Sequence, residues 1–319
     1  MHPIVVKPDN FLSSMLNSRM PTDDNESCEN LVQEFKINNF TLECENPADF
    51  VRAEWPINQK AYTVYRIILA FGMVAWIVAD LMYESQKFYH DRMWLYLVYA
   101  TNWSFILLGM STFFQAVCSL FYSTRPSGCI DRQSFDRMPP SLKVQWVLQN
   151  LAYNSSIVVT ISYWSFIAFI EHSAILMTDM SRLKHTLNTL IVIVDLMISA
   201  TPIRILHMFI TVMLGSVYSL FNALYFLNNG TILQGRHYAY NVLNWDHPQE
   251  AVVTCILCII QSIFSQIILY ELYKCRSWIH SKSIFQREND PSNSEMRSIL
   301  TESGPKYSTV DNNSHIEIP

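Results

Sequence analysis

Six windows of 18 to 28 residues, nearly free of charge, alternate with short polar stretches at 61–82, 94–121, 144–170, 183–200, 204–227 and 251–273. A helix that crosses a bilayer needs about 20 predominantly apolar residues. The pattern therefore predicts an all-α, polytopic transmembrane bundle of about six helices. The second and third windows are long enough to tilt or to protrude from the bilayer. The fourth is short, and Pro202 separates it from the fifth by a tight turn, so five or seven spans also fit.

The windows are not uniformly apolar. In the fourth, LKHTLNTLIVIVDLMISA, the residues His185, Asn188, Asp195 and Ser199 recur at helical spacing. An aspartate at membrane depth costs about 2.5–3.5 kcal/mol on insertion scales, so it belongs in the bundle interior or against a wet cavity. The second window repeats the pattern with Thr101, Ser104, Ser111, Thr112 and Gln115, and the third with Gln149, Tyr153, Ser156, Thr160 and Tyr163. Each set falls on one helical face. The ordinary role of such groups is hydrogen bonding between helices or back to the carbonyl four residues earlier.

The composition, 50% hydrophobic and 15% charged, conceals this segregation, because charge gathers at the two ends and in short loops. No N-terminal signal peptide is expected from MHPIVVKPDNFLSSML, which lacks an apolar core followed by a small-residue cleavage site. Arg125, Arg132, Arg137 and Lys143 lie in one loop, and Lys274, Arg276, Lys282 and Arg287 follow the last window. The alternate loops hold Lys87 and Arg92, then Arg182 and Lys184, then Arg236. This bias predicts an even number of spans with both termini cytosolic. The expected organisation is a polar cytosolic segment at 1–54, a six-helix domain at 55–277 and a disordered cytosolic tail at 278–319 rich in Ser, Asn and Glu.

That orientation leaves the sequon Asn229-Gly230-Thr231 as the glycosylation candidate and the sequons at Asn25 and Asn39 unused. Cys275, in YKCRSW at a cytosolic helix end, is the candidate for palmitoylation. Cys255 and Cys258 form a CxxC by spelling, but inside an apolar window they read as small core residues. No HxxxH pair offers a zinc site, so no metal or cofactor is expected. A net charge of −5 gives no basis for nucleic-acid binding. The expected partners are membrane lipids, in the plasma membrane or the endomembrane system.

Depth singles out a few groups. With both termini inside, the second and fourth spans enter from the exoplasmic face, placing Thr101 and Asn102 near the level of His185 and Asn188. Asp80 closes the first span on that side, and Asn244, Asp246 and His247 precede the sixth. A hydroxyl beside an imidazole is the minimum kit for acyl transfer, with a third group orienting the base. No G-x-S-x-G elbow is present. Asp80, Asn102, Asn188, Asp195, Asp246 and His247 make a candidate polar pocket.

The stretches YRIILAFGMVAWIVADL, LYLVYATNWSF, YNSSIVVTISYWSF, LKHTLNTLIVIVDLMISATPIRILH and YNVLNWDHP resemble the rolling stone family of multipass membrane proteins. The resemblance runs from about Trp55 to Tyr273 and implies a role in myoblast fusion without known chemistry. A more distant resemblance, to the androgen-induced family of intramembrane threonine hydrolases, implies cleavage of fatty-acid esters of hydroxy fatty acids. Thr101 matches their catalytic threonine, and His185 matches the first histidine of their His segment. Their second histidine falls on Asn188, which cannot act as a general base.

Three readings follow. The first is a non-enzymatic membrane protein acting in cell-cell fusion or adhesion, with a polar intramembrane pocket for lipid. The second is a hydrolase of a hydrophobic ester, with Thr101 as nucleophile, His185 as base and Asp195 or Asp246 orienting it. The third is a transporter or channel lined by Asp195 and the polar stripes.

Overall fold

The computed structural model of the protein describes residues 34–124, 138–167 and 175–288. Among the described residues there are six α-helices: α1 Gln59–Glu84, α2 Ala100–Ser123, α3 Pro140–Ser162, α4 Asp179–Ile198, α5 Met208–Leu227 and α6 Pro248–Glu288. No strand occurs among the described residues beyond one isolated antiparallel bridge, Ala53 with Ser199.

Local chemistry sets the helix starts. The Asn58 side chain accepts from the Lys60 N–H to cap α1, and the Thr178 hydroxyl accepts from the Ser181 N–H to cap α4. Asp179 adds a negative charge in the first turn of α4, where the helix dipole favours it. Pro140 opens α3 at a position where the missing N–H costs nothing. The second predicted window begins too early. Met93–Val98 is a 3-10 segment, and extended Tyr99 (φ −92°, ψ 127°) separates it from α2. The third predicted window ends too late, because α3 gives way at Tyr163–Ile167 to a π-turn. In the other direction, α6 runs ten residues past 278, since no Gly or second Pro interrupts Pro248–Glu288. The rest of the predicted tail, the sequon at Asn25 and the loop arginines Arg125, Arg132 and Arg137 lie outside the described residues.

The chain divides into two units, 1–273 and 274–319. In the second, described through Glu288, the Lys282 ammonium lies 3.9 Å from the centre of the Trp278 ring. The first unit is an up-down bundle. Thr63 on α1 meets Ser119 on α2 at 2.9 Å, Ser104 on α2 meets Ser156 on α3 at 3.4 Å, and Thr189 on α4 donates to Thr160 on α3 at 2.8 Å. Neighbouring helices therefore run antiparallel. Gly109 permits the closest approach, since a Cβ there would lie 2.3 Å from Ile77 Cδ1 of α1.

Polarity is turned inward. Gln145, Gln149, Asn150, Asn154 and Ser156 on α3 are all buried, as are Lys184, His185, Asn188 and Asp195 on α4. The outward faces are apolar: Val64, Ile68, Phe71, Val78 and Met82 on α1, and Met213, Val217, Leu220, Leu224 and Leu227 on α5. In water such stripes would be a liability; against lipid chains they cost nothing. Among the described residues, four helical segments are long and apolar enough to cross a membrane: Gln59–Tyr89, Ala100–Ser123, Ile205–Leu227 and Pro248–Gln286. Helices α3 and α4 fall short of that standard because they carry the interior's polar groups.

The segment before α1 crosses one end of the bundle. The Trp55 indole donates to the Met197 carbonyl at 2.7 Å, and the Glu54 N–H to the Ile198 carbonyl at 2.9 Å. These carbonyls end α4 and have no partner within the helix. Phe50 packs on Trp146 of α3 with ring centres 5.0 Å apart. At the same end, Arg66 of α1 reaches Asp195 of α4 at 2.5 Å, both 1% exposed. Tyr65 donates to Asp195 Oδ1 at 2.9 Å, Tyr153 donates to Oδ2, and the guanidinium donates to the Tyr62 hydroxyl at 2.6 and 2.8 Å.

Removing one partner of a buried ion pair strands the other, at about 3–5 kcal/mol. Arg66→Met and Asp195→Leu are each expected to destabilise the purified protein by that order. The double substitution is expected to recover a large part of the sum, because no lone charge remains. Thermal unfolding in nanodiscs measures all four members of the cycle, and simple additivity would show that the two groups are not coupled.

Candidate functional site

The second charged cluster lies at the opposite end of the same two helices. Lys184, in the second turn of α4, places its ammonium 2.5 Å from Asp80 Oδ2, 2.9 Å from Glu84 Oε1 and 2.8 Å from Asn102 Oδ1. Its three N–H donors are thereby used. Tyr96 donates to Asp80 and Tyr89 to Glu84, each at 2.8 Å. Two carboxylates thus share one lysine, held by the end of α1, the following turns, the start of α2 and the start of α4. Asp80 and Asn102, both predicted pocket residues, meet here. Lys184, counted above as a loop charge, is 2% exposed inside the bundle.

His185 points the other way around α4. Its ring stacks on Tyr163 with centres 3.9 Å apart and planes within 9°. The Val159 carbonyl faces the ring, but neither ring nitrogen completes a hydrogen bond among the described residues. One turn on, Asn188 is buried with its side-chain oxygen unpartnered among those residues. Asp195 is committed to Arg66 at the far end. Asp246 and His247 are exposed, and their backbone N–H groups bond back to Asn244 in the turn that leads into α6. Asn229 is exposed at φ 55°, two residues beyond the end of α5, and Cys275 is exposed on α6.

A cavity of about 240 Å³ lies elsewhere, between α2, α3, α5 and α6, with Tyr240, Val242 and Leu243 closing one end. Its wall is mainly aliphatic. Thr101 is part of it, and its hydroxyl lies 3.5 Å from the Tyr240 hydroxyl. Neither α1 nor α4 contributes to the lining, which among the described residues contains no Lys, Arg, His, Asp or Glu. None of the six predicted pocket residues borders it. The reason is the geometry of α3. Val158 and Ser162 face the cavity, whereas Thr160 and Tyr163, on the other side of the helix, meet α4. No hydrogen bond joins Thr101 to His185 among the described residues.

Most polar groups on this wall are satisfied within the protein. Ser262 of α6 bonds Asn154 and Thr211, both at 3.0 Å, and Tyr218 donates to the Val98 carbonyl at 3.0 Å. Ser155, Ser219 and Thr254 each donate to the carbonyl four residues earlier. On the outer side, Gly215 of α5 and Leu257 of α6 both line the cavity and are exposed, so the gap between these helices opens onto the apolar surface. Nothing lies within 4 Å of where a Gly215 Cβ would be.

Three functional positions escaped the sequence reading. Arg66 is a lone arginine inside an apolar window, and an intramembrane arginine implies a carboxylate partner. Lys184 sits four residues before Asn188, on the same polar face. Tyr240 opens YNVLNWDHP, one of the stretches that carry the family resemblance, but it reaches Thr101 only through the fold of the loop before α6.

A family model described as Protein rolling stone matches residues 22–287. Among known proteins, Protein rolling stone of Drosophila melanogaster is 26% identical over 257 residues, covering 78% of this chain and 90% of the relative. No solved structure matches. Read with the inward-facing polar groups and the long apolar helices, these matches show that the chain is a multipass integral membrane protein and belongs to the rolling stone family.

Proposed function

We propose that this protein acts in its membrane by holding a lipid chain in the cavity between α2, α3, α5 and α6, without cleaving it, in the service of cell-cell fusion or adhesion. The observation that carries the reading is the cavity: apolar, placed within the bundle, and open toward lipid beside Gly215. A ligand could enter sideways from the bilayer without crossing water. The fusion or adhesion role rests on the family.

Hydrolysis by Thr101 would require a general base within about 3 Å or through one water. Among the described residues the cavity wall offers Thr101 a tyrosine and no imidazole or carboxylate. Conduction through the bundle would need polar groups free to meet an ion, and Asp195 is bonded to Arg66, Tyr65 and Tyr153. Lipid holding is therefore the reading the geometry favours. In the orientation proposed, both termini are cytosolic, and the turn around Asn229 and His237 is exoplasmic.

A lipid with a photoreactive diazirine in its acyl chain, activated in membranes and mapped by mass spectrometry, is expected to label Val212 and Cys258 on the cavity wall. Gly215→Trp, which fills the opening, is expected to reduce that labelling several-fold and leave labelling of outward Met213 and Leu220 unchanged. Labelling confined to the outward residues would sink the proposal. For orientation, His237→Cys and Ser281→Cys are expected to react with a membrane-impermeant maleimide from opposite sides of a sealed membrane, Ser281→Cys from the cytosol. Reaction of both from one side would overturn it.

A further inference from the structure

We infer that the cavity selects neutral single-chain lipids whose head is an uncharged hydrogen-bonding group, a hydroxyl or an ester, seated at Thr101 and Tyr240. The inference rests on the lipid-holding reading above and specifies its ligand. It comes from where the charges of the bundle are, and from a hydroxyl on the cavity wall, that of Thr101, which the protein leaves weakly bonded.

A fatty acid or a phosphate-bearing lipid brings an anion, and an anion taken out of water needs a cation or several donors to receive it. Among the described residues the lining offers no Lys, Arg or His. Buried Arg66 and Lys184 are already committed, Arg66 to Asp195 and Lys184 to Asp80 and Glu84. The start of α2 borders the cavity at Ala100 and Thr101, and its dipole favours an electron-rich atom there. That contribution is small beside the penalty for an unpaired ion, so it suits a carbonyl or hydroxyl oxygen rather than a carboxylate.

The head group's position follows from the second observation. Ser155, Ser219 and Thr254 bury their hydroxyl protons on their own helices. Thr101 is the second residue of α2 and has no helical carbonyl four residues back. The Leu97 carbonyl is taken by the Trp103 indole at 2.6 Å. The Thr101 hydroxyl is left with Tyr240 at 3.5 Å, the limit of a hydrogen bond. An oxygen set to one side of the pair, about 2.8 Å from each, would make a better hydrogen bond with both than they make with each other. The acyl chain would then run along Val158, Val212 and Cys258 toward Thr211 and Ser262, whose hydroxyls bond each other.

The test uses the full chain in nanodiscs and three probes with one acyl chain: 1-oleoylglycerol, oleate at a pH where it is ionised, and 1-oleoyl lysophosphatidate. A headless hydrocarbon, 1-octadecene, serves as control, and binding is read by native mass spectrometry. The expected result is that 1-oleoylglycerol binds tighter than either anion by about tenfold or more. Thr101→Val is expected to weaken 1-oleoylglycerol about fivefold, the worth of one hydrogen bond, and to leave 1-octadecene unchanged. Tyr240→Phe, which keeps the ring, repeats the measurement should Thr101→Val fold poorly. If no probe binds, octadecene included, the lipid-holding reading itself fails. If the anions bind as well as 1-oleoylglycerol or better, lipid holding stands and the selectivity is overturned. If neither variant changes the preference for 1-oleoylglycerol, the head group does not sit at Thr101 and Tyr240.

Discussion

Hydrocarbon cannot solvate a charge, so every ionised side chain inside this bundle has to find its counter-charge within the protein. That constraint is met twice on the same pair of helices. Arg66 of α1 bonds Asp195 of α4 at one end, and Lys184 of α4 bonds Asp80 and Glu84 of α1 at the other. The two anchors are about 21 Å apart along α1 and about 16 Å along α4 at 1.5 Å per residue. Two fixed points on each helix set their direction and their register together. Tyrosine hydroxyls complete both sites, bonding the carboxylates from α1, α3 and the turns that precede α2. A slip of one turn would leave charges at membrane depth with no partner, so alternative packings of α1 against α4 are heavily penalised.

The cavity follows from the same division. The ionised groups tie α1 to α4 through long side chains, α2 and α3 pack beside them, and the remaining helices meet this core through uncharged amides and hydroxyls. Asn154, Ser262 and Thr211 join α3, α6 and α5 at a single level, leaving a gap above them. Because those amides and hydroxyls bond one another, the gap is walled by carbon. Helix α3 then separates two environments, a charged and aromatic interior toward α4 and a neutral apolar space toward α5 and α6. Thr101 belongs to the second environment and His185 to the first, although their depths in the chain's topology are similar.

Much of the fold was legible in the sequence for simple reasons. Long apolar windows mark spans because of the bilayer's thickness, and polar residues at helical spacing mark the inward face because of their cost in lipid. Asp195 was therefore correctly read as interior. Its partner was not, since Arg66 lies in a different window and nothing in the spacing links the two. Lys184 passed for a loop charge because helix-start lysines usually reach water, and here the ends of α1 and α2 cover it. The boundaries that moved, at Tyr99, Ser162 and Glu288, depended on local backbone turns that hydropathy does not register.

The sequence by itself determined that this chain crosses a membrane as a helical bundle and which side of the second, third and fourth helices faces inward. Helical periodicity and the expense of polar groups in lipid suffice for that. The tertiary structure decided which inward faces meet: Arg66 with Asp195, Lys184 with Asp80 and Glu84, Thr101 with Tyr240 rather than His185. Spacing along one helix fixes an angle about its axis. It carries no information about which helix lies across that angle, and the candidate site exists only where two such angles meet.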